Sequence, residues 1–143
     1  KSTYPDAAFY ILSRIVEKRA GEPLDNLLWR ELLFPIGCLE AAFSRCPKGH
    51  PMGATGLYIR SEDMVKLGRI YLDGGVWQGD RIVSEEWIGI VLERGYELRK
   101  FGKGFSKGGM RGQRLYVNFD ENVAVAWHSF DPEGKNKALG DAL

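Results

Sequence analysis

A lysine followed by two glycines stands between two stretches that alternate like β-strands. The segment "KGFSKGGMRGQRLYVNFDENVAVAWHS" covers residues 103–129, and the triplet is Lys107, Gly108 and Gly109. Glycines in a strand are costly to order and pack poorly, so they favour the close approach of another molecule to the backbone. The lysine adds a fixed positive charge beside that edge, which can hold a substrate carboxylate or lower the pKa of a neighbouring acid.

A tyrosine lies at the mouth of the first predicted helix. In "TYPDAAFY", Tyr4 precedes Asp6, a residue type that caps helices well. A tyrosine with its ordinary pKa of about 10 is a poor base unless cations stabilise the phenolate. Lys107 is the candidate cation, on the condition that the fold brings the two side chains together.

Phosphate and nucleic acid are weaker interpretations of the same region. No window matches GxxxxGK[ST] or GxGxxG, so the sequence does not indicate a phosphate loop. Residues 94–114 hold seven cations against the single acid Glu97. Few aromatic residues are placed there to stack on bases, and alternation puts the cations mainly on a solvated strand face. We therefore predict no nucleic-acid partner.

The two cysteines do not indicate a metal site. Cys38, Cys46 and His50 lack the CxxC spacing of zinc sites, and a fourth ligand would have to come from far along the chain. Two partly buried thiols are the simpler interpretation, and whether the thiols pair stays open.

Length and composition place the chain among ordinary globular domains. Its 143 residues favour one domain, and 44% apolar and 27% charged residues are typical of that class. A net charge of +1 does not indicate any particular class of binding partner. No apolar run approaches bilayer length, so no membrane span is predicted. The chain starts at Lys1 without an initiator Met, so the lack of a signal peptide leaves the compartment open.

Helices dominate the first two thirds of the chain. Their periodicity, caps and stop residues predict helices in the segments 6–21, 22–37, 60–75, 85–95 and 131–143. In the first of them an apolar stripe follows helical spacing: Ala8, Ile11, Leu12, Ile15 and Val16. In the third, Met64, Leu67, Ile70 and Tyr71 form the inward face. Ser84 is the predicted cap of the fourth.

Antiparallel strands follow the helices. Residues 96–109 and 113–129 are predicted to form hairpin strands, and residues 55–59 a short strand. Residues 38–54 look irregular, and residues 76–83 look like a turn-rich connector. Helices, then antiparallel strands and a final helix make an α+β fold. Several strand faces lack a partner within the chain, which predicts that the isolated chain self-associates.

The segment that contains Tyr4 and the later segment that contains Lys107 resemble, in this order, two sequence motifs of the serine β-lactamase and penicillin-binding-protein superfamily. The nearest pattern is that of its class C β-lactamase, DD-peptidase and esterase-like branch, with Ser-x-x-Lys, Tyr-x-Asn and Lys-Thr-Gly boxes. Residues 4–6 ("YPD") stand at the tyrosine box and residues 107–109 ("KGG") at the third box. The resemblance also extends to three longer segments, whose sequences are similar to those of the same branch: residues 6–37, 53–88 and 114–129. It therefore covers nearly the whole chain.

Three departures from that pattern limit what the resemblance implies. Asp6 replaces Asn and Gly108 replaces Thr, which counts against β-lactam turnover and leaves ester and peptide substrates open. The Ser-x-x-Lys box is missing, because none of the seven serines has a lysine three positions later: Ser2, Ser13, Ser44, Ser61, Ser84, Ser106 and Ser129. In the family that box precedes the tyrosine box. The resemblance therefore implies the C-terminal portion, residues 1–143, of a larger β-lactamase/transpeptidase-like domain.

The resemblance also implies a mechanism for the complete protein, a bacterial serine hydrolase of the cytoplasm or cell envelope. The absent serine attacks an amide, ester or β-lactam carbonyl, and Tyr4, with the absent lysine, shuttles its proton. Lys107 steadies the Tyr4 phenolate or binds substrate, and the strand at Gly109–Met110 offers an N–H to the oxyanion hole. No metal or organic cofactor is implied, and the chain alone is expected to be inactive. The substrate-binding positions are Asp6, Gly108, Gly109, Met110 and Gln113.

A second hypothesis comes from another functional class. The chain can be a non-catalytic binding module that uses the Lys-Gly-Gly strand edge to bind a peptide or a partner chain. An in-frame Ser-x-x-Lys upstream of Lys1 favours the hydrolase, whereas a start codon there favours the binding module.

Overall fold

A computed structural model describes residues 6–96 and 98–131 and divides them into two units, of which the first ends at Arg60. Both helices predicted in the first unit are confirmed, and the second continues into a π-helical turn, Trp29–Leu33. The region predicted as irregular contributes one short strand. The elements of this unit are α1 (Asp6–Ala20), α2 (Leu24–Leu28), β1 (Ala41–Phe43) and β2 (Leu57–Ile59), with the two strands antiparallel.

Polar side chains attach α1 to the rest of the first unit. Ser13 is the buried residue of the helix, and the Arg14 guanidinium donates to the Pro51 carbonyl over 3.0 Å. Glu17 accepts the Leu24 backbone N–H over 3.0 Å at the start of α2. Gly53 lies so close that a Cβ there would be 2.5 Å from the Ser13 Cβ, so only glycine fits against this side of the helix.

The apolar stripe of α1 faces outward. Ile11, Leu12 and Ile15 are 58%, 53% and 58% exposed. Periodicity therefore predicts the helix correctly, while the side that the unit buries is the polar one. An exposed row of this kind is unusual for a helix in a finished globular fold.

The second unit begins with a helix and ends with a sheet. Ser84 caps α4 as predicted, because its side chain accepts the Trp87 N–H over 3.2 Å. The predicted turn-rich connector contains a short hairpin. The elements are α3 (Ser61–Leu72), β3 (Val76–Trp77), β4 (Asp80–Arg81), α4 (Glu85–Arg94), β5 (Arg99–Phe101), β6 (Gly104–Gly108), β7 (Arg114–Asn118) and β8 (Val123–Trp127). Apart from Asp131, the predicted final helix lies outside the described residues.

The last four strands form one antiparallel sheet in sequence order, and α3 packs across one face of it. The core is Phe105, Leu115 and Val117, against which Met64 and Tyr71 of α3 pack. The architecture is α+β, as the sequence predicts. Within the described part of the chain, no helix combines the length and the apolar character needed to cross a membrane.

Candidate functional site

The Lys-Gly-Gly triplet ends a central strand of the second unit's sheet. Lys107 and Gly108 are the last two residues of β6, and they pair with Leu115 and Arg114 of β7. A tight hairpin, residues 109–113, joins the two strands. Four of the predicted substrate-binding positions are therefore neighbours in this hairpin, with Lys107 beside them: Gly108, Gly109, Met110 and Gln113.

Lys107 lies at the end of the sheet face that α3 covers. Side chains alternate along a strand, and cross-strand partners share a face. Lys107 therefore shares its face with Phe105 and with its partner Leu115, both of which are buried. The lysine itself is partly buried. This cation consequently lies where the apolar core ends, and the expectation of a solvated strand face does not hold for it.

The strand on the other side of β6 stops before the triplet. β5 pairs only with Gly104, Phe105 and Ser106, and its first residue stands opposite Ser106. Position 97, which would face Gly108 in the same register, lies outside the described residues. Among the residues that the structure describes, Gly108 thus has a strand partner on its β7 side alone.

The direction of the backbone groups follows from one hydrogen bond. The Gly109 N–H donates to the Gln113 carbonyl over 2.8 Å, toward β7. Because successive residues of a strand point their N–H and C=O groups to opposite sides, those of Gly108 point toward the β5 side. The Gly109 N–H is thereby excluded as an oxyanion donor. The next N–H along the chain belongs to Met110, a turn residue that is 92% exposed.

Gln113 orients the hairpin. Its side-chain oxygen accepts the Arg111 backbone N–H over 3.0 Å. A Cβ at Gly109 would lie 2.6 Å from the same oxygen, so the Gln113 side chain fits against bare backbone. The polar contact described for this side chain is therefore within the hairpin.

The segment after β8 ties down the same hairpin. The Ser129 hydroxyl donates to the Gly112 carbonyl over 2.9 Å, and the Asp131 N–H donates to the Arg111 carbonyl over 2.8 Å. The Arg111 guanidinium lies 5.1 Å from the centre of the Phe130 ring, within cation–π range. These three contacts restrain the loop that carries the Met110 N–H.

Arg114 is the neighbour of the triplet that the sequence reasoning missed. A Cβ built on Gly108 would lie 2.0 Å from Nη1 of Arg114 and 2.9 Å from its Cζ. The guanidinium therefore rests against Gly108, on the sheet face opposite Lys107. The sequence does contain an indication of this contact, because a tight hairpin after Gly109 would place Arg114 opposite Gly108. The contact could not be predicted without knowing the register of the two strands.

The other two predicted site residues lie elsewhere in the chain. Tyr4 falls outside the described residues. Asp6 is the first residue of α1 in the first unit and is exposed.

A second group of titratable side chains lies in the first unit, around Cys46. The Tyr10 hydroxyl donates to the Cys46 Sγ over 3.2 Å. This hydrogen bond is the main reason why the pKa of Cys46 is lowered, and it also raises the pKa of Tyr10. Backbone hydrogen bonds at Cys46 and the charge of Arg14 act in the same direction on the thiol. Both cysteines are free, and Cys38 is buried.

Glu17 is held ionised in the same group. Burial opposes its charge, but the Leu24 N–H and the Arg14 guanidinium outweigh burial, so the pKa of Glu17 is lowered. Its carboxylate also lies 3.1 Å from the His50 ring. All of these contacts join α1 to its own unit, so we assign this group a structural role.

The chain is similar to known hydrolases. No family model matches it. It is 30% identical over 105 residues to a 6-aminohexanoate-dimer hydrolase of Paenarthrobacter ureafaciens, over 73% of this chain and 26% of the relative. The chain thus spans about a quarter of the length of this curated relative.

Two solved structures share the architecture. A Bacillus anthracis protein, provisionally assigned as a 6-aminohexanoate-dimer hydrolase, matches with a TM-score of 0.78 at 18% identity, over 90% of this chain and 38% of that one. A Bacteroides dorei protein, provisionally assigned as a β-lactamase, matches with a TM-score of 0.67 at 14% identity, over 90% and 53%. The shared architecture shows that the chain has the serine β-lactamase-like fold, and the chain matches a C-terminal portion of larger chains.

Proposed function

We propose that the chain is the C-terminal part of a serine hydrolase acting by acyl transfer, and that its acyl substrate lies along the end of β6. The observation that carries the proposal is the outward direction of the Gly108 backbone at a point beyond Arg99, the first residue of β5. An extended substrate can pair with such an edge, and glycine leaves the approach unobstructed.

The relatives favour an amide substrate. Two of them are named as hydrolases of a 6-aminohexanoate dimer. We therefore propose an amide of an amino acid as the substrate class to test first, with esters next. β-Lactams come last, because Gly108 lacks the hydroxyl that the Lys-Thr-Gly pattern supplies.

The proposed reaction uses three groups of this chain. A serine supplied by the part of the protein that precedes the matched portion attacks the carbonyl carbon, and the oxyanion accepts the Met110 N–H. Tyr4 takes the serine proton and delivers it to the leaving amine, and water then hydrolyses the acyl-enzyme. Lys107 stabilises the Tyr4 phenolate or the bound substrate, which lowers the energy of the charged intermediate.

The partner of the chain under this proposal is the N-terminal part of the same protein. The exposed stripe of Ile11, Leu12 and Ile15 supplies an apolar surface for it. The isolated chain is then expected to self-associate through this surface, because exposed apolar rows associate in water. Light scattering that shows a clean monomer at all concentrations would count against this expectation.

The first test is to read the coding sequence directly upstream of Lys1. An in-frame Ser-x-x-Lys supports the hydrolase, and the polypeptide that includes it is expected to be acylated by an activated ester, seen as a mass increase. A start codon at that point, with no Ser-x-x-Lys motif, would contradict the proposal that the chain is part of a serine hydrolase. The chain then acts as a binding module at the same strand edge, and extended peptides are the ligands to screen.

Matched lysine variants of the longer polypeptide test the role of the triplet. Lys107→Ala is expected to slow acylation about a hundredfold or more, the usual range for loss of acid–base assistance. Lys103→Ala is the control, because Lys103 is an exposed lysine near the other end of β6 that pairs with Asp120. Equal rates for the two variants would remove Lys107 from the mechanism.

A further inference from the structure

We propose that a pocket between the end of α4 and the β5–β6 turn binds a small aromatic carboxylate, at a place separate from the proposed acyl-transfer site. The pocket is at the Gly104 end of β6, whereas the Lys-Gly-Gly triplet is at the other end. Gly104 and Gly108 are four residues apart, which is about 13 Å along a strand. The inference concerns the second unit alone and does not rest on the proposed function.

The pocket has a volume of about 260 Å³ and an apolar interior. Its apolar side chains come from the end of α4, the start of β5, β6 and the residue after β7: Leu92, Leu98, Phe105 and Phe119. Pockets for drug-sized ligands measure about 300–1,000 Å³, so this pocket has room for a smaller molecule.

The aromatic side chains indicate which apolar group fits. The ring centres of Phe105 and Phe119 are 6.2 Å apart, and the two planes are tilted by 52°. Tyr71 meets Phe105 edge-on, with ring centres 5.0 Å apart. Phe119 is 39% exposed, so it is accessible to a ligand. A ring that enters the pocket can extend this aromatic cluster in the tilted or edge-on arrangements that aromatic pairs prefer.

The entrance of the pocket is positively charged. Lys100 and Lys103 line it, and no acidic side chain is among the described residues that do so. Lys100 is the cross-strand partner of Phe105 and therefore shares its face of the sheet. Lys100 is exposed and has no ion pair with any residue that the structure describes. An anionic group at the entrance is consequently attracted by an ammonium group that no described carboxylate neutralises.

The second lysine is also accessible to a ligand. Lys103 pairs with Asp120, but its side chain is 76% exposed, and exposed ion pairs contribute little. A carboxylate at the entrance can therefore compete with Asp120 for this lysine.

A ligand needs both an aromatic ring and a negative charge to use the whole pocket. A small ion without a ring meets only two solvated lysines, whose attraction is screened by water and salt. A neutral ring is buried against the phenylalanines but leaves the lysines without a new partner. Recognition of the two groups together distinguishes this pocket from a charged surface.

Ligand-observed NMR titrations of the 143-residue chain test the pocket with three matched probes: 3-phenylpropionate, 3-phenylpropionamide and propionate. The amide removes the charge, and propionate removes the ring. At low salt, 3-phenylpropionate is expected to bind about tenfold more tightly than either of the others. Equal binding of 3-phenylpropionate and one of the other two would overturn the proposal.

Lys100→Gln and Arg99→Gln form a matched pair of variants. The two cations are neighbours on β5, and alternation directs their side chains to opposite faces of the sheet. Lys100→Gln is expected to weaken the binding of 3-phenylpropionate about fivefold, whereas Arg99→Gln is expected to change it less than twofold. Equal losses in the two variants would mean general attraction to a basic chain and would contradict the pocket.

Phe119→Ala tests the contribution of the ring contact. This variant is expected to weaken 3-phenylpropionate and its amide by the same factor, about threefold or more, because it removes one aromatic contact from both. Circular dichroism checks that the sheet remains folded. Unchanged binding of both probes to a folded Phe119→Ala chain would show that the ring does not enter the pocket.

Lys107→Gln separates the pocket from the other end of β6. It is expected to leave the affinity for 3-phenylpropionate unchanged. A loss in Lys107→Gln, together with normal binding in Lys100→Gln, would place the probe at the triplet and overturn the proposal. Failure of acylation in the longer polypeptide would contradict the proposed function alone, because binding of this probe requires neither Tyr4 nor the Ser-x-x-Lys motif.

Discussion

The helices α1 and α3 carry similar apolar patterns and meet opposite environments. In α3, Ile70 is 3% exposed, and Met64 and Tyr71 pack on the sheet core. In α1, Ile11 and Ile15 are both 58% exposed, while polar residues face the rest of the unit. Helical spacing thus identifies a helix and its apolar side, but whether that side is buried depends on what the rest of the chain offers.

The difference between the two helices lies in their partners. The sheet beside α3 supplies an apolar face with Phe105, Leu115 and Val117. The loop beside α1 supplies carbonyls and polar side chains, such as the Pro51 carbonyl that Arg14 contacts. Because the chain spans only 26% of its curated relative, we propose that the missing partner of the α1 stripe belongs to the longer protein.

The largest expected effect compares one isoleucine from each helix. Ile70→Ala in α3 is expected to reduce the free energy of unfolding by about 2–5 kcal/mol, because it empties a buried site. Ile15→Ala in α1 is expected to change it by less than about 0.5 kcal/mol, since the side chain is mostly exposed and alanine favours the helix. Urea titrations followed by circular dichroism measure both. Equal losses would mean that α1 buries its stripe in solution.

Glycines in two helices of the second unit sharpen the same contrast between covered and open surfaces. A Cβ at Gly68 of α3 would lie 2.9 Å from Leu115 and 3.0 Å from Ala124, so Gly68→Ala is expected to destabilise by about 1–3 kcal/mol. Gly89 of α4 has no atom within 4 Å of such a Cβ, so Gly89→Ala is expected to stabilise by about 0.5–1 kcal/mol. Thermal unfolding midpoints of the two variants should move in opposite directions. A rise for Gly68→Ala would contradict the close packing of α3.

The sequence allowed correct prediction of features that are local. Ser84 indicates the start of α4, and the alternation of residues 104–108 predicts a strand that carries Lys107 and Gly108. The hairpin of β3 and β4 was not predicted, because two-residue strands are too short to show an alternation of apolar and polar residues. The turn of this hairpin has positive φ at Gln78 and Gly79. β1 was missed because it forms only through pairing with β2, fourteen or more residues later.

Features of the candidate site that depend on register could not be predicted. The contact of Arg114 with Gly108 requires the hairpin length and the pairing of β6 with β7 to be known together. The bond from the Arg111 N–H to the side-chain oxygen of Gln113 also depends on the geometry of this turn, and the prediction that Gln113 binds substrate stays a prediction. The outward stripe of α1 could not be predicted at all, because the pattern is the same for an inward and an outward face.

A pH-dependent prediction tests the polar side of α1. Glu17 has a lowered pKa in the folded chain, so its stabilising contribution is complete above the unfolded value of about 4.5 and is lost as pH falls through the folded pKa. Glu17→Gln is expected to cost about 1–2 kcal/mol at pH 7, because contacts with Leu24 and Arg14 weaken. Urea titrations at pH 7 and at steps down to pH 3 measure the difference, which should vanish at low pH.

Glu31→Gln is the control for this experiment. Glu31 pairs with Arg30 on an exposed surface, where such pairs contribute about 0–1 kcal/mol. A cost for Glu17→Gln no larger than that of the control, or one that persists unchanged at pH 3, would show that the carboxylate does not hold α1 to its unit.

The smallest expected effect concerns the thiol that faces α1. The Tyr10 hydroxyl is the main cause of the lowered pKa of Cys46, so Tyr10→Phe is expected to raise that pKa and move the pH midpoint of alkylation by iodoacetamide upward. The rate at pH 7.5 should fall about twofold, as for loss of one weak, partly buried hydrogen bond. Peptide mapping separates Cys46 from buried Cys38, and Tyr58→Phe removes an exposed hydroxyl as control.

Either outcome of the alkylation experiment bears on the comparison of the two helices. A shift in the pH midpoint of Cys46 alkylation in Tyr10→Phe, but not in Tyr58→Phe, would show that the polar side of α1 contacts Cys46 in solution. With the helix in that orientation, Ile11 and Ile15 face outward. An unchanged profile would mean that α1 is not held by this contact. The helix could then turn its apolar stripe inward, and Ile15→Ala would be expected to destabilise the chain after all, because the same rotation that breaks the Tyr10 bond buries Ile15.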